Sequence, residues 1–585
     1  MIPAAQAQSR LAAFVPPAPA VLVSSVAQPS GPGYNAALVH LDVAVGPRDT
    51  TTCNIVGELL VPTDASAAHP VPVILTTNGF GGSYLDQVAM AEYFAPLGYA
   101  TLTYSGLGFG GSGCQIELDD PEWDGEAASQ LISYLGDLPE ILRDGPDDPR
   151  VGMVGGSEGG DIQFSTAAID PRLDALVPMI TWDDLAYSLA PDNADANFND
   201  TEPGVLKYEW AAFFFADGLS KANPATANPT CPNFDPRICT ALETSVALGY
   251  LDRASIDLLR HTSMVTYFHN VHVPVMLMQG EDDSLFNINE AVHNYRDLQS
   301  VGDPVKLVLQ SWGHSHSTPA PGEVSYNKAS LGYETLLITD WFAKYLKHEH
   351  VSTGPAVEYF RNWVTYDGSA EPAYGTASSW PVGTTATYYL SGGGTLVTAP
   401  TAIQSRAVTF VNVPAAPTSY SETSELEGTA PVSEIPPTDA PGTFTSFESA
   451  PLVGDVDTVG VPEVSFALSS TSPAGLDPET DPVVVAKLYD VAPNGGVTLV
   501  DRLVAPARID DETQPVTMTL PGVVHRYAAG DRIELVLAAS DAAYLGSRIP
   551  DVLTVTINPS QPSALQLQIV SGAGETSGGG RATGA

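Results

Sequence analysis

Between residues 36 and 190 the chain alternates short apolar runs with amphipathic stretches: VPVILTTNG, LDQVAMAEYFAPLG, YATLTYSG, DGEAASQLISYLGDLPEIL, VGMVGG, DIQFSTAAI and DALVPMI. Runs that are apolar throughout fit strands covered on both faces, and the amphipathic stretches fit helices laid across them. Strand and helix in alternation predict an α/β fold with a mostly parallel sheet. Residues 191–255 break the rhythm, because VLKYEWAAFFFADGLS and TALETSVALGYL flank a Pro-rich loop. A helical insertion at that point is placed to act as a cap over a site. The first pattern returns over 256–354 with VPVMLMQGEDDSLF, INEAVHNYRDLQS, PVKLVLQSWGH and YETLLITDWFAKYLK. From 355 to 570 the runs become short and β-rich (TATYYLS, AVTFVNV, EVSFALSS, PVVVAKLYDV, DRIELVLAAS, VLTVTIN) and are separated by Gly, Pro, Asn and Asp. They predict a separate all-β domain, an antiparallel sandwich or jelly roll. Residues 1–35 and 571–585 carry no sustained periodicity and are expected to be a flexible N-terminal segment and a disordered tail.

Against that frame one motif stands out. RVGMVGGSEGG places Ser157 where a predicted strand meets a helix beginning near Glu158, the context of a nucleophile elbow. Gly155 and Gly159 leave room for the sharp turn. A serine hydroxyl is a weak nucleophile at neutral pH, so it needs a histidine base and a carboxylate to orient that base, arriving later in the chain in the order Ser, Asp, His. Asp283 follows the strand VPVMLMQG, and His314 follows the strand KLVLQ. Both fall just past the C-terminal ends of parallel strands, where open α/β sheets build their sites. Asp282 is the rival carboxylate and His316 the rival imidazole, whereas His269, His272 and His293 occupy no comparable loop. A metal reading of Glu281, Asp282 and Asp283 fails on geometry, since consecutive acids on an extended segment face opposite ways; no metal and no cofactor are expected. The loop TTNGFGGS offers backbone amides for an oxyanion hole, with the N–H groups of Phe80 and Glu158 as the expected donors.

Taken together with DPEWDGEAASQLISYL, DPRLDALVPMITWDDL, QGEDDSLF, FESAPL, VAKLYDV and GDRIELVLAAS, these motifs resemble the α/β-hydrolase family of X-prolyl dipeptidyl peptidases, cocaine esterase and α-amino-acid ester hydrolases. The resemblance runs from about 50 to 570. It implies a Ser157–His314–Asp283 triad, a helical cap and a C-terminal jelly roll beside the active site. Where many relatives carry a tyrosine after the nucleophile, this chain has Glu158. Where they carry a Pro-Tyr pair it has Gly79-Phe80, so the oxyanion hole is expected to rest on backbone amides.

Composition narrows the setting. With 68 acidic against 24 basic residues the formal charge is −44, which repels nucleic acid and anionic lipid surfaces. No apolar run approaches the roughly 18 to 20 residues of a membrane-spanning helix. Four cysteines allow two bridges: Cys231 and Cys239 lie close together in a turn-rich loop, and Cys53 and Cys114 can pair if the fold joins them. That even count in an acidic, lysine-poor chain predicts a secreted or cell-envelope protein, although PAAQAQ, a small-x-small cleavage pattern, is preceded by no charged or apolar leader segment. Expected partners are therefore a small ester or a short peptide, with no nucleic acid and no membrane; oligomeric state is not legible. Trp182, Trp210 and the FFF at 213–215 are expected to line an apolar acyl pocket, and Asp183, with Asp184 and Glu158, to meet a substrate amine. The expected function is a serine hydrolase cleaving ester or amide bonds, esters preferred. The runner-up is an X-prolyl dipeptidyl aminopeptidase. A third reading, a catalytically inactive carbohydrate- or polymer-binding protein, requires a broken triad, and here all three positions are filled.

Overall fold

The strands VILTT, ATLTY and VMLMQG are buried along their whole length, as the apolar runs require. In the computed structural model, which describes residues 14–194, 203–222, 228–414, 439–472, 474–475 and 477–570, they form the middle of one large sheet. Its strands are β1 (Val21–Gln28), β2 (Tyr34–Val45), β3 (Thr51–Pro62), β4 (Val73–Thr77), β5 (Ala100–Tyr104), β6 (Val151–Gly156), β7 (Leu173–Met179), β8 (Val275–Gly280), β9 (Val305–Gln310), β10 (Val357–Phe360) and β11 (Tyr374–Ala377). They lie in the order β1-β2-β3-β5-β4-β6-β7-β8-β9-β10-β11. From β5 to β10 every pairing is parallel, and antiparallel strands close both edges.

Alternate side chains of one strand feed two cores. Val73 and Leu75 pack among residues of α2 (Glu126–Asp137), α3 (Glu158–Ile169) and α7 (Ile288–Val301), whereas Ile74 packs with α1 (Val88–Phe94) and α8 (Tyr333–Leu346). Between β7 and β8 the chain leaves the sheet to build the cap: α4 (Tyr208–Ser220), α5 (Pro236–Leu248) and α6 (Arg253–His261). Asp235 and Asp252 cap α5 and α6 by accepting backbone N–H bonds from the first turn, and Gly249 ends α5 in the left-handed conformation. Beyond β11 a second, β-rich sheet encloses its own core around Phe447, Phe466 and Leu535. This domain is bolted to the first. Asn289 on α7 donates to Leu520 O at 3.1 Å and accepts from Gly522 N at 2.9 Å, while Arg508 reaches the cap at Gly204 O, 2.9 Å away.

Two boundaries differ from the expected ones. Residues 21–28, expected within a flexible N-terminal segment, form β1, an edge strand held by backbone pairing to β2 with its side chains almost all exposed. A strand that buries nothing carries no period-2 signature. The switch to the second domain, expected at 355, comes later, because β10 pairs parallel with β9 and β11 antiparallel with β10. Residues 1–13 and the tail 571–585 lie outside the described residues. Both disulfides form, Cys53–Cys114 and Cys231–Cys239, across sequence separations of 61 and 8 residues. On the chain-entropy view the longer loop contributes about 4 kcal/mol and the shorter one about 2 to 3 kcal/mol.

Part of the negative charge is spent inside. Burial pushes Glu117 up to about 9, with Asp235 and Asp124 adding repulsion. Burial also lifts Asp174 to about 8 and Asp297 to about 6. In the unfolded chain such groups titrate at about 4. Over the interval from about pH 4 to about pH 9 the folded chain therefore holds more protons than the unfolded one, and stability falls as pH rises. The urea midpoint should drop steadily between about pH 5 and about pH 9; a midpoint that climbs across that range contradicts this account.

Candidate active site

Four loops leave the C-terminal ends of β4, β6, β8 and β9 and converge. At the end of β6, Ser157 takes φ 59° and ψ −124°, a strained conformation for a residue with a side chain. Several contacts hold it there. Ser157 N–H donates to Met179 O at 2.9 Å, Thr181 Oγ1 donates to Ser157 O at 2.9 Å, and Gly160 N–H donates to the same carbonyl at 2.8 Å. The glycines are sterically required: a Cβ on Gly155 would lie 2.5 Å from Gly159 O, and one on Gly159 would lie 2.8 Å from Thr77 O. The turn thereby projects the serine hydroxyl from the sheet rim and starts α3 directly beneath it.

Asp283 is fully buried and meets donors on both oxygens. Oδ1 accepts from Leu285 N–H at 3.0 Å and Phe286 N–H at 2.9 Å. Oδ2 accepts from His314 N–H at 3.0 Å and from the ring Nδ1 at 2.8 Å. The other ring nitrogen, Nε2, lies 2.9 Å from Ser157 Oγ. A carboxylate at Nδ1 fixes the tautomer with its proton there, leaving Nε2 free to accept the serine proton. The imidazole is clamped edge-on by Phe286, centroids 5.0 Å apart, and by Trp210 at 6.2 Å. Gly313 permits the approach, since a Cβ there would sit 2.7 Å from Asp283.

The rival residues pair with each other instead: His316 Nδ1 lies 3.3 Å from Asp282 Oδ2, both half-exposed at the rim. With Asp283 and Asp282 engaged by different histidines and Glu281 buried, the three consecutive acids diverge.

Gly79 passes beside the nucleophile; a Cβ on it would lie 3.3 Å from Ser157 Cβ, and Phe80 follows at once. The Phe80 ring packs on Phe109 and Phe214, at 5.1 and 5.2 Å, and brings no hydroxyl to the site. Glu158 opens α3, so its N–H is one of those with no acceptor inside the helix. Its carboxyl turns inward beside Asp124 and Asp161, and burial among those acids holds it well above the usual carboxylate range.

The expected substrate-binding residues separate. Trp182 lines a cavity that opens at Ser157, and its ring lies 5.1 Å from Phe286. Trp210 is buried and donates from Nε1 to Ser284 Oγ at 3.2 Å, touching His314 rather than the cavity. Asp183 and Asp184 are buried away from the cavity. Asp184 caps a helical turn through Ala186 N–H and pairs with Arg260 at 2.7 Å, and the backbone N–H of Asp183 donates to Glu290 at 2.8 Å.

Sequence reasoning missed the brace behind Asp283 and His314. Lys207, buried in the cap, donates through Nζ to Ser284 O at 2.5 Å and to Leu285 O at 3.1 Å, the two residues after Asp283. Ser284 and Ser315 hydrogen-bond each other through their hydroxyls, tying the acid loop to the loop of His314. The available signal was a lone lysine inside the apolar run VLKYEW of a lysine-poor chain.

Comparison with known proteins also divides the chain in two, at a point earlier than the end of β11. Residues 52–316 match the family profile described as X-Pro dipeptidyl-peptidase (S15 family), and residues 350–577 match the X-Pro dipeptidyl-peptidase C-terminal non-catalytic domain. No curated protein matches in sequence. Among solved structures, an aminopeptidase from the marine sediment archaeon Thaumarchaeota archaeon aligns with TM-score 0.61 at 15% identity, covering 91% of this chain and 97% of its own. A selenomethionine-labelled α-amino acid ester hydrolase aligns with TM-score 0.63 at 18% identity, covering 93% and 98%. With its catalytic and C-terminal halves matched in order, the chain belongs to the X-Pro dipeptidyl-peptidase S15 family and is a hydrolase.

Proposed function

We propose that the chain is a serine hydrolase that cleaves carboxylic esters in preference to X-Pro amides. One observation carries the reading: the hydrogen-bonded line Asp283–His314–Ser157, 2.8 Å and then 2.9 Å long, at the rim of the parallel sheet. As Ser157 Oγ attacks a carbonyl carbon, His314 Nε2 takes its proton. Asp283 keeps the ring oriented and stabilises the imidazolium that forms. The N–H groups of Phe80 and Glu158 stabilise the oxyanion, His314 returns the proton to the leaving oxygen, and water then releases the acyl group by the same steps.

Preference for esters rests on the leaving group and on where the acids expected to meet an amine lie. Asp183 and Asp184, two of the three acids expected to meet an amine, are buried away from the cavity, Asp184 paired with Arg260, while the third, Glu158, lines it. An alkoxide also leaves with less help from the general acid than an amine does. The two disulfides support the proposal that the protein works in an oxidising compartment, secreted or in the cell envelope.

Ser157→Ala should lower kcat on p-nitrophenyl acetate by about a million-fold, the scale of a dismantled protease triad. A loss under about tenfold, in a variant whose melting matches the parent, contradicts the assigned nucleophile. Comparing p-nitrophenyl acetate with Ala-Pro-p-nitroanilide should give the higher kcat/KM for the ester; a reversed order moves the assignment to the dipeptidyl peptidase reading.

A further inference from the structure

Where the cap meets the core, three side chains with metal-binding atoms converge. Asp120, Glu122 and His261 each bring one such atom to a common spot, all within 4.8 Å of one another, and among the described residues no other trio of His, Cys, Asp and Glu does so. Distance in sequence hides the trio. Asp120 and Glu122 belong to the turn leading into α2, whereas His261 ends α6 in the cap.

Each segment that carries a ligand is held independently. Asp120 is buried; its Oδ1 accepts from Glu122 N–H at 2.8 Å, and its carbonyl accepts from Trp123 N–H and Asp124 N–H, both at 2.9 Å, so one tight turn sets both acids. Gly46 N–H donates to Glu122 O at 2.8 Å and ties that turn to the end of β2. On the cap side Arg260, next to His261, pairs with Asp184 at 2.7 Å and pins the last turn of α6. His261 Nε2 then lies 3.3 Å from Asp120 Oδ2. Glu122 and His261 are exposed on the wall of a groove of about 580 Å³ between α5 and α6, which gives water access to the spot.

We infer that Asp120, Glu122 and His261 form a binding site for a divalent cation of the zinc type, which joins the cap to the core. The donor set selects the ion. Calcium and magnesium take oxygen ligands, whereas one imidazole beside carboxylates suits zinc, which readily keeps water in a fourth position. Ligand atoms around zinc lie about 3 to 4 Å apart. A set spread over at most 4.8 Å closes on the ion by small rotations of the two exposed side chains. An ion pair alone does not account for the trio, because one carboxylate satisfies an imidazolium and Glu122 adds a second. Arg237, a cation on the same groove wall, has its charge met by Asp235, through Nε at 3.0 Å and Nη2 at 3.1 Å. None of the three ligands lines either space that opens at Ser157, yet Leu258 and Leu259 of α6 wall one of them. An ion held here therefore fixes a helix that shapes the cavity beside the nucleophile.

The test is calorimetric titration of Zn²⁺ into the full, untagged chain after a chelator has stripped it of metal. One saturable ion per chain should bind, with a dissociation constant of about 10 µM or tighter. Glu122→Ala and His261→Ala should each weaken zinc by at least about tenfold. His272→Ala, which removes a histidine paired with Asp303 instead, should leave zinc binding as it is in the parent. Saturating zinc should raise the melting temperature of the parent and leave that of His261→Ala where it was. Absence of saturable binding, or Glu122→Ala and His261→Ala binding as tightly as the parent, overturns the site. Calcium binding as tightly as zinc overturns the assigned class of ion, and a parent melting temperature that zinc does not raise overturns the link between cap and core. Glu122 is exposed, so its variant decides the matter if His261→Ala does not fold.

Discussion

The constraint on which everything else depends is the strained backbone of Ser157. A side chain at φ 59° costs of order 1 to 3 kcal/mol, and the fold retains it because neighbouring glycines clear the space and carbonyl and hydroxyl contacts close around it. From that one turn follow the projecting hydroxyl, the start of α3 beneath it, and the closeness of Gly79 in the loop after β4. Parallel pairing of β4 with β6 and of β8 with β9 then brings the remaining loops to the same rim. A sheet wound this way places its strand ends together, so the site is a consequence of topology, and chemistry enters only through which residues occupy those ends.

The cap and the second domain are mechanically part of the site. Lys207 and Trp210 reach from the cap to Ser284, and Ser284 reaches Ser315, so the loops of Asp283 and His314 are gripped from behind by an element that also walls the apolar cavity opening at Ser157. The second domain adds to this grip: Leu545 N–H donates to Leu206 O at 2.9 Å and Glu209 N–H donates to Ala543 O at 3.2 Å, on either side of Lys207. Helix α4 therefore touches both the loops of Asp283 and His314 and the cavity beside Ser157. A substitution in α4 is expected to be felt in both.

Much of this was legible in the sequence, and the reason is local. Ser157, Asp283, His314 and Phe80 each follow a strand that is buried almost throughout and lie beside glycines that the close packing requires, so strand end and chemistry are written within a few residues of each other. What the sequence did not show depends on distance. Trp210 was expected at the substrate and instead supports His314, because aromatic character gives no direction. Asp183 and Asp184, acidic beside a tryptophan, looked suited to an amine, yet this segment is held inside the protein by Glu290, on the Asp183 backbone N–H, and by Arg260, on the Asp184 carboxylate, 107 and 76 residues away in sequence. β1 escaped notice because an exposed edge strand has no hydrophobic period. The domain boundary slipped because β10 and β11 are short β-rich runs that differ from those of the second domain only in what they pair with.

The central claim is that Ser157 becomes transiently acylated. Mixing the protein with an activated ester, quenching in acid within the first turnover and mapping peptide masses addresses it directly. The account predicts one acyl group on the peptide that contains Ser157, together with a burst of nitrophenol matching the protein concentration. An unmodified Ser157 peptide alongside continuing ester hydrolysis would contradict it.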